Sequence, residues 1–524
     1  MTAEFIYTGR VPEATRSAAL RCYETYRSDR ESYIARVRDN ERYYRSFYER
    51  SSEGLVRRKD CSTPLLFACI DNAAADASSS YPVPHILERD PAGTEAAESL
   101  SKLLPVQLDM CRFRQIYNAN MHSKLKFGTA IYGVFYDGAS RSIDIRAVDI
   151  MDIYIDMHLK NVQDSRFMFI SAAVDNDILK EQYPQFARLF SGDCEIEGIA
   201  SSYKLTNRCE VLDCYYKKSD GTVHMMKLCK GTIIEATEDM DGYGNGLYDH
   251  GLYPVVIDNM YPIEDCPFGF GMLDIGKATQ IQIDKLDNAI TKNVMITARQ
   301  RYFSKRSSGI NIEEFSDIDR DIVSIEGDIE EAAKPILTSS LTANPIVHRE
   351  NKKSELKELL ANRDFQQGQT TGGVTAASAI KALRETGEKR SRKMIARSYD
   401  AYKELIYMTI ELIRQFYDDE RTFRVDSGNG KKEFIAFSNR SMKRSGFDIE
   451  VIPQAEDPLT QEQQNETALT LWNAGFFLPQ NLEPARIVLK SMDFKGKGQL
   501  INDIESAIMR GAGGDGYVSD GERQ

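Results

Sequence analysis

The chain has 524 residues, 42% of them hydrophobic and 10% aromatic, which is enough for two to four domains at ~100–200 residues each and too apolar for a wholly disordered polymer. Its formal net charge of -12 excludes a protein that coats nucleic acid by charge alone, because that affinity comes from Lys and Arg displacing counterions from phosphates. No run approaches the ~20 apolar residues of a membrane span, the first ten residues lack the apolar core of an export signal, and nine cysteines without a CxxC spacing read as reduced thiols.

Residues 14–50 read as one charged helix studded with tyrosine, and the stretch from Ser62 to Ser80 as a second, more apolar helix broken by "YPVPHILERD". A further helical stretch covers 93–121. The pattern then changes: "KFGTAIYGVFYDGASRSIDIRAVD" sets strand-forming residues on either side of the turn DGAS, with Ile143 and Ile145 alternating onto one inward face. "RCEVLDCYYKKSDGTVHMMKLCKGTII" repeats the form around Ser219, Asp220 and Gly221. Residues 120–260 are therefore expected to be mostly antiparallel sheet, with the first domain boundary after them.

Residues 267–298 predict a long helix with an apolar stripe of Ile283, Leu286, Ile290 and Val294. Residues 299–337 interrupt helicity with Gly309 and Gly327, as in a small strand-containing insert. The insert begins basic, with Arg299, Arg301, Lys305 and Arg306, and ends acidic, with Asp317, Asp319 and Asp321, which suits polar partners. Helix resumes over 338–366 with almost no apolar face in its first half, so that surface is solvated or covered from outside its own domain.

The loop 367–374, with Gln369, Thr370, Thr371, Gly372 and Gly373, is small and uncharged. It opens a proline-free helix over 375–417, a rod of about 65 Å at 1.5 Å per residue. Its first half carries Lys381, Arg384, Lys389, Arg390, Arg392, Lys393 and Arg397, which Glu385 and Glu388 do not neutralise. Its second half can bury Tyr399, Tyr402, Leu405, Ile406, Ile410, Ile413 and Phe416 on one stripe. Three strand-like runs ("RTFRVD", "KKEFIAFS", "FDIEVIP"), a helical segment around Trp472 and a glycine-rich tail expected to be disordered complete the chain.

An enzyme finds little support. The phosphate-binding GxxxxGK[ST] does not occur. "GFGMLDIG", with Gly269, Gly271 and Gly276, has the wrong spacing for a dinucleotide fingerprint and reads as a loop-to-helix junction. "DMDGYGNGLYDH" puts Tyr243 and His250 where a calcium loop places its ligands, and reads as a surface turn. Six histidines are scattered without HExxH spacing, so no catalytic residue, metal or cofactor is expected.

Three segments in this order and separation resemble the portal, or head-to-tail connector, proteins of tailed bacteriophages: "KFGTAIYGVFYDGASRSIDIRAVDIMDIYID" followed by "DSRFMFI"; "YPVVIDNMYPIEDCPFGFGMLDIGKATQIQIDKLDNAITKN"; and "GGVTAASAIKALRETGEKRSRKMIARSYDAYKELI". The likeness covers nearly the whole chain. It implies an α+β fold with a wing over 1–266, a stem helix over 267–298, a clip over 299–337, a second stem helix over 338–366, a tunnel loop over 367–374, a long wing helix over 375–417, wing strands over 418–455, and a crown with tail over 456–524.

The resemblance further implies a ring, usually a dodecamer, at one capsid vertex of a virion whose parts are made in the bacterial host cytoplasm. Double-stranded DNA would be packaged through it by the terminase motor and later ejected. The clip residues would dock the terminase large subunit and then a head-completion or neck adaptor, with the major capsid and scaffolding proteins as further neighbours and no membrane. Gln369 to Gly373 would face the DNA channel, and the basic run from Lys381 to Arg397 would face either DNA or a neighbouring subunit. The acidic total suits a conduit through which DNA must slide. Rival readings are another oligomeric virion or scaffold protein, against which the large sheet region counts, and a DNA-processing enzyme, against which the missing phosphate loop counts.

Overall fold

The computed structural model describes residues 7, 9–45, 48–51, 54–57, 63–89, 94–199, 202–298, 302–304, 333–335, 343–360, 389–418, 421–426, 432–437, 447–455, 470 and 473. The chain divides into two compact units, one of Met1–Arg38, Ala73–Gly271 and Lys389–Gln524, the other of Asp39–Asn72 and Met272–Glu388. In chain order the elements are α1 (Glu13–Asp29), α2 (Glu31–Tyr44), β1 (Tyr48–Ser51), β2 (Gly54–Arg57), α3 (Leu65–Ser79), β3 (Ser80–Glu88), α4 (Thr94–Met110) and α5 (Phe113–Phe127). Strands β4 (Thr129–Asp137), β5 (Ser142–Ala147), β6 (Ile153–Tyr154) and β7 (Phe167–Asp175) lead to α6 (Asn176–Gln182). Then come β8 (Cys194–Glu197), β9 (Ser202–Leu205), β10 (Arg208–Lys217), β11 (Val223–Cys229), β12 (Thr232–Ala236), β13 (Val255–Asn259), β14 (Tyr261–Pro262) and β15 (Gly269–Phe270). The long helix α7 (Met272–Ala298), short strands β16 (Tyr302–Ser304) and β17 (Ala333–Pro335), and helices α8 (Ala343–Leu359) and α9 (Lys389–Phe416) follow, before β18 (Arg421–Asp426), β19 (Lys432–Phe437) and β20 (Phe447–Ala455).

Both expected hairpins are present, β4 with β5 and β10 with β11, and Ile143 and Ile145 are buried. They belong to different sheets, a three-stranded one ordered β13-β4-β5 and a five-stranded one ordered β12-β11-β10-β7-β6. The run Phe167–Ile170 is apolar throughout because both faces of β7 are covered. Phe167 and Phe169 pack with Ala19 and Tyr26 of α1, while Met168 and Ile170 join Tyr33, Ile131 and Ile153 in the other cluster.

Two expectations from sequence need correction. The helix over 14–50 is two helices followed by the strand β1, and the junction is Arg30, whose side chain is buried at 3% exposure. Its guanidinium donates to the carbonyls of Ile150, Met151 and Ile153 and lies 3.4 Å over the Tyr154 ring, so it pegs the helix junction to the chain entering β6. The stretch 93–121 likewise divides, at Arg112 in the left-handed region with φ 54°. The proline-rich stretch ends α3 as expected, and it forms the strand β3, paired with β20 so that Pro82 faces Pro453 and Pro84 faces Val451. All three prolines fall in one phase of the ladder, the phase in which no N–H is needed.

Beside the Arg30 peg, burial pushes the Asp152 carboxyl up to about 6, helped by Asp149 and opposed by Arg30. A carboxyl raised in the fold costs nothing while both states hold the proton, below the ordinary value of ~3.9; the cost grows as pH rises through about 6 and is complete above it. Asp152→Asn is therefore expected to flatten the fall in stability between those two values and to add about 1–2 kcal/mol at neutral pH. Urea unfolding followed from pH 4 to 8 checks both.

The strands expected after the long helix are present as β18, β19 and β20. Helix α9 buries more than one stripe: Leu405, Ile406, Met408, Thr409, Ile410, Leu412 and Ile413 are all inaccessible. It lies against β13 and β4 of the three-stranded sheet and against the ribbon of β3 and β20, so most of its circumference is covered.

In the second unit, residues 39–72, grouped by sequence with the wing, pack with α7. Asn40 donates to Asp274 at 2.7 Å and Tyr43 to Asp284 at 3.1 Å, while Gln280 accepts from the Leu66 amide at 3.1 Å and donates to the Thr63 carbonyl at 2.9 Å. Helices α7 and α8 meet at Gly276, where an added Cβ would stand 2.7 Å from Leu66 Cδ1 and 3.2 Å from Leu356 Cδ1. Glycine there lets Leu356 bury completely. Arg349 of α8 forms a two-pronged ion pair with Asp287 of α7. The segment 361–388, the helical segment around Trp472 and the tail lie outside the described residues.

Candidate functional site

The insert between α7 and α8 begins and ends in an antiparallel pair of strands, with Tyr302 opposite Pro335 and Ser304 opposite Ala333. Its excursion therefore leaves and returns at one neck. Arg299, Arg301, Lys305, Arg306, Asp317, Asp319 and Asp321 lie outside the described residues, as do the loop residues Gln369, Thr370, Thr371, Gly372 and Gly373. The last turns of α7 carry an unexpected surface. Of the stripe read from sequence, Ile283 is buried, but Val294 is 55% exposed and its neighbours Met295 and Ile296 are 64% and 41% exposed. On α8, Ile346 and Val347 are exposed as well.

Of the basic run, Lys381 and Arg384 lie outside the described residues, and Lys389, Arg390, Arg392 and Lys393 form the first turns of α9. Arg397 turns inward: its Nη1 donates to the Met260 carbonyl at 2.8 Å. The next residue, Ser398, is buried and meets a group that sequence reasoning did not single out. Lys124 Nζ donates to Ser398 Oγ at 2.6 Å and to Asp258 Oδ1 at 2.6 Å, with the Met394 carbonyl at 3.5 Å. The Lys124 and Asp258 side chains are 0% and 1% exposed. Burial pushes the Lys124 ammonium below its ordinary range, against the pull of Asp258. A signal was present for both. Lys124 falls three residues after Met121 and seven after Tyr117 on the buried face of α5, and Asp258 falls two after Val256 on the inward phase of β13.

Lys124 owes its position to the last turn of α5, which Gly128 closes with φ +90° and an N–H to the Lys124 carbonyl at 2.8 Å. The Gly128 carbonyl accepts from the Met260 amide at 2.8 Å, which ties the end of α5 to the chain after β13. Three elements thus meet at one buried charge pair: α5 supplies the cation, β13 the anion, and α9 the hydroxyl and carbonyl.

The family model for phage P22-like portal proteins matches residues 30–252 and 338–512, most of the chain. The chain belongs to this family. Its role is that of a phage head–tail connector, a component of the virion. The segment that the family match omits, 253–337, contains α7 and the insert. No curated protein matches the chain in sequence. Among solved structures, the neck of an empty gene transfer agent particle, determined with C6 symmetry, and the virion of a native gene transfer agent particle each share 10% identity with it. The match covers 79% of this chain and 87% of theirs, with TM-scores of 0.38 and 0.37. Among the described residues no helix is long and apolar enough to cross a membrane, and no group of side chains is placed to hold a metal ion.

Proposed function

We propose that the portal protein works as a closed ring whose channel passes double-stranded DNA, inward under the terminase motor and outward at ejection. The observation that carries this is the end of α7. Val294, Met295 and Ile296 are consecutive, and at about 100° per residue they present apolar surface through some 200° of the helix. One neighbour on one side does not cover so wide an arc. Two neighbours do, one on each flank, as in a head-to-tail ring; a two-fold dimer would cover one patch with its own copy.

In this reading α7 and α8 are the stem, the insert 299–337 is the clip, and its basic and acidic ends dock first the terminase large subunit and then a neck adaptor. The loop 367–374 hangs in the channel, where small uncharged residues touch DNA without holding it. The basic run from Lys381 to Lys393 supplies positive charge toward DNA or toward acids of the next subunit. The role is structural rather than catalytic. Negative-stain microscopy with native mass spectrometry of the purified full chain is expected to show closed rings, twelve subunits being the usual number; monomer and dimer alone at micromolar concentration would count against the reading.

A further inference from the structure

The turn of α9 from Met394 to Ser398 is held differently from the rest of that helix. Beyond it, α9 is held mainly by apolar burial, which is non-directional, until Gln415 near its end donates to the Leu247 carbonyl at 3.3 Å and accepts from the Asp249 amide at 3.0 Å. The buried residues there recur at one-turn intervals, Leu405 with Thr409 and Ile413, Ile406 with Ile410. Sliding the helix by one turn, about 5.4 Å, would exchange Leu405, Thr409 and Ile413 largely among themselves, but would bring Arg414 to the place of Ile410 or, in the other direction, Glu404 to that of Met408. Apolar packing therefore resists a slip at those two places and is nearly indifferent to it along Leu405 and Thr409. The turn Met394–Ser398 specifies it strongly. Lys124 has three ammonium protons and three acceptors, of which two, Ser398 Oγ and the Met394 carbonyl, are on α9. Arg397 binds the Met260 carbonyl from the next position round the helix. After a one-turn slip Lys124 would face either Met394 or Tyr402 in place of Ser398, and a fully buried ammonium would lose its shortest contact to the helix.

We propose that the buried Lys124–Asp258 pair, with Ser398 and the Met394 carbonyl, is a register pin for the long helix: it fixes α9 axially against α5 and β13, so that displacement of the chain preceding residue 389 stops at this turn. Register setting is the best-attested use of a buried charge pair, since replacing such a pair by apolar groups commonly leaves stability intact. The portal reading enters only as the source of the displacement, a loop touching moving DNA; the pin itself stands on the contacts within one unit.

The test is hydrogen–deuterium exchange on the full chain carrying Lys124→Met with Asp258→Leu. The double variant is expected to melt within a few degrees of the parent, yet to exchange the amides of 394–400 at least about 10-fold faster, with β10 and β11 unchanged. Ser398→Ala, which removes one acceptor and creates no unpaired charge, is expected to give the same local change at roughly a third of that size or more and to fold under all conditions that suit the parent. Unchanged exchange at 394–400 in Ser398→Ala and in any folded double variant overturns the pin, because apolar packing then sets the register unaided. Faster exchange spread equally over β10 and β11 overturns it as well, because the pair is then a general stabiliser. Native mass spectra of the parent separate the two questions: absence of a ring there defeats the portal reading and leaves the exchange result to decide the pin.

Discussion

Gly128→Ala is expected to destabilise the chain by about 3 kcal/mol or more, the sum of ~1–2 kcal/mol for a side chain in the left-handed region and ~1–3 kcal/mol for overpacking. Gly128 has φ +90°, and a Cβ built on it would overlap the backbone of Phe270 in β15. Backbone does not yield as a flexible side chain does. Either the last turn of α5 or the segment entering α7 must shift, and the first carries Lys124 with it. The melting temperature is expected to fall by roughly 6–12 °C at ~2–4 °C per kcal/mol for a unit of this size. Gly138→Ala, at a hairpin turn where an added Cβ meets nothing within 4 Å, serves as the control and is expected to melt with the parent. Equal melting of Gly128→Ala and parent would show that β15 does not approach the end of α5 so closely in solution.

The same close approach accounts for the glycines of "GFGMLDIG", whose spacing departs from a nucleotide fingerprint. Gly269 stands where an added Cβ would press on the carbonyls of Tyr261 and Gly128, and Gly276 where α7 meets α8; the spacing records close packing and has nothing to do with phosphate. The local features of the fold were legible in the same way: the two hairpins declare themselves by their turn residues, and α7 by periodicity. Features that depend on distant partners were not. Arg30 and Lys124 look like surface charges until carbonyls and a carboxylate from more than 100 residues away close over them. Strand β3 looks like a helix breaker until β20 supplies a ladder whose unbonded phase accepts its prolines. The candidate site was legible by chain order and poorly by residue. Arg397, grouped in sequence with bases expected to face DNA or a neighbour, spends its guanidinium on a carbonyl of its own unit, because helical periodicity tells which residues share a face and not which face meets what.

The same limit applies to α7 and α8, and there it has the largest consequence. Periodicity sets Ile283, Leu286, Ile290 and Val294 on one apolar stripe, and it cannot say whether the cover comes from this chain or another. Within the chain the cover thins along the stripe, with Ile283 buried, Leu286 and Ile290 half-buried and Val294 exposed. Val294→Lys combined with Val347→Lys is therefore expected to leave the single chain nearly as stable as before, within about 0.5 kcal/mol for each exposed site, because neither side chain is buried in it. In a ring the same lysines would be enclosed between subunits without partners, at a cost of several kcal/mol each. Because a head-to-tail ring repeats that cost at every interface, a modest change per subunit becomes loss of the whole assembly. The variant is expected to run as a monomer in native mass spectrometry with an unchanged unfolding midpoint, whereas Val294→Ala with Val347→Ala, which removes apolar area and adds no charge, is expected to weaken rings without abolishing them. Rings of normal size and stability from the lysine variant would place the subunit contact elsewhere on the chain, and a monomer with a lowered midpoint would mean that these residues serve the fold of the stem itself.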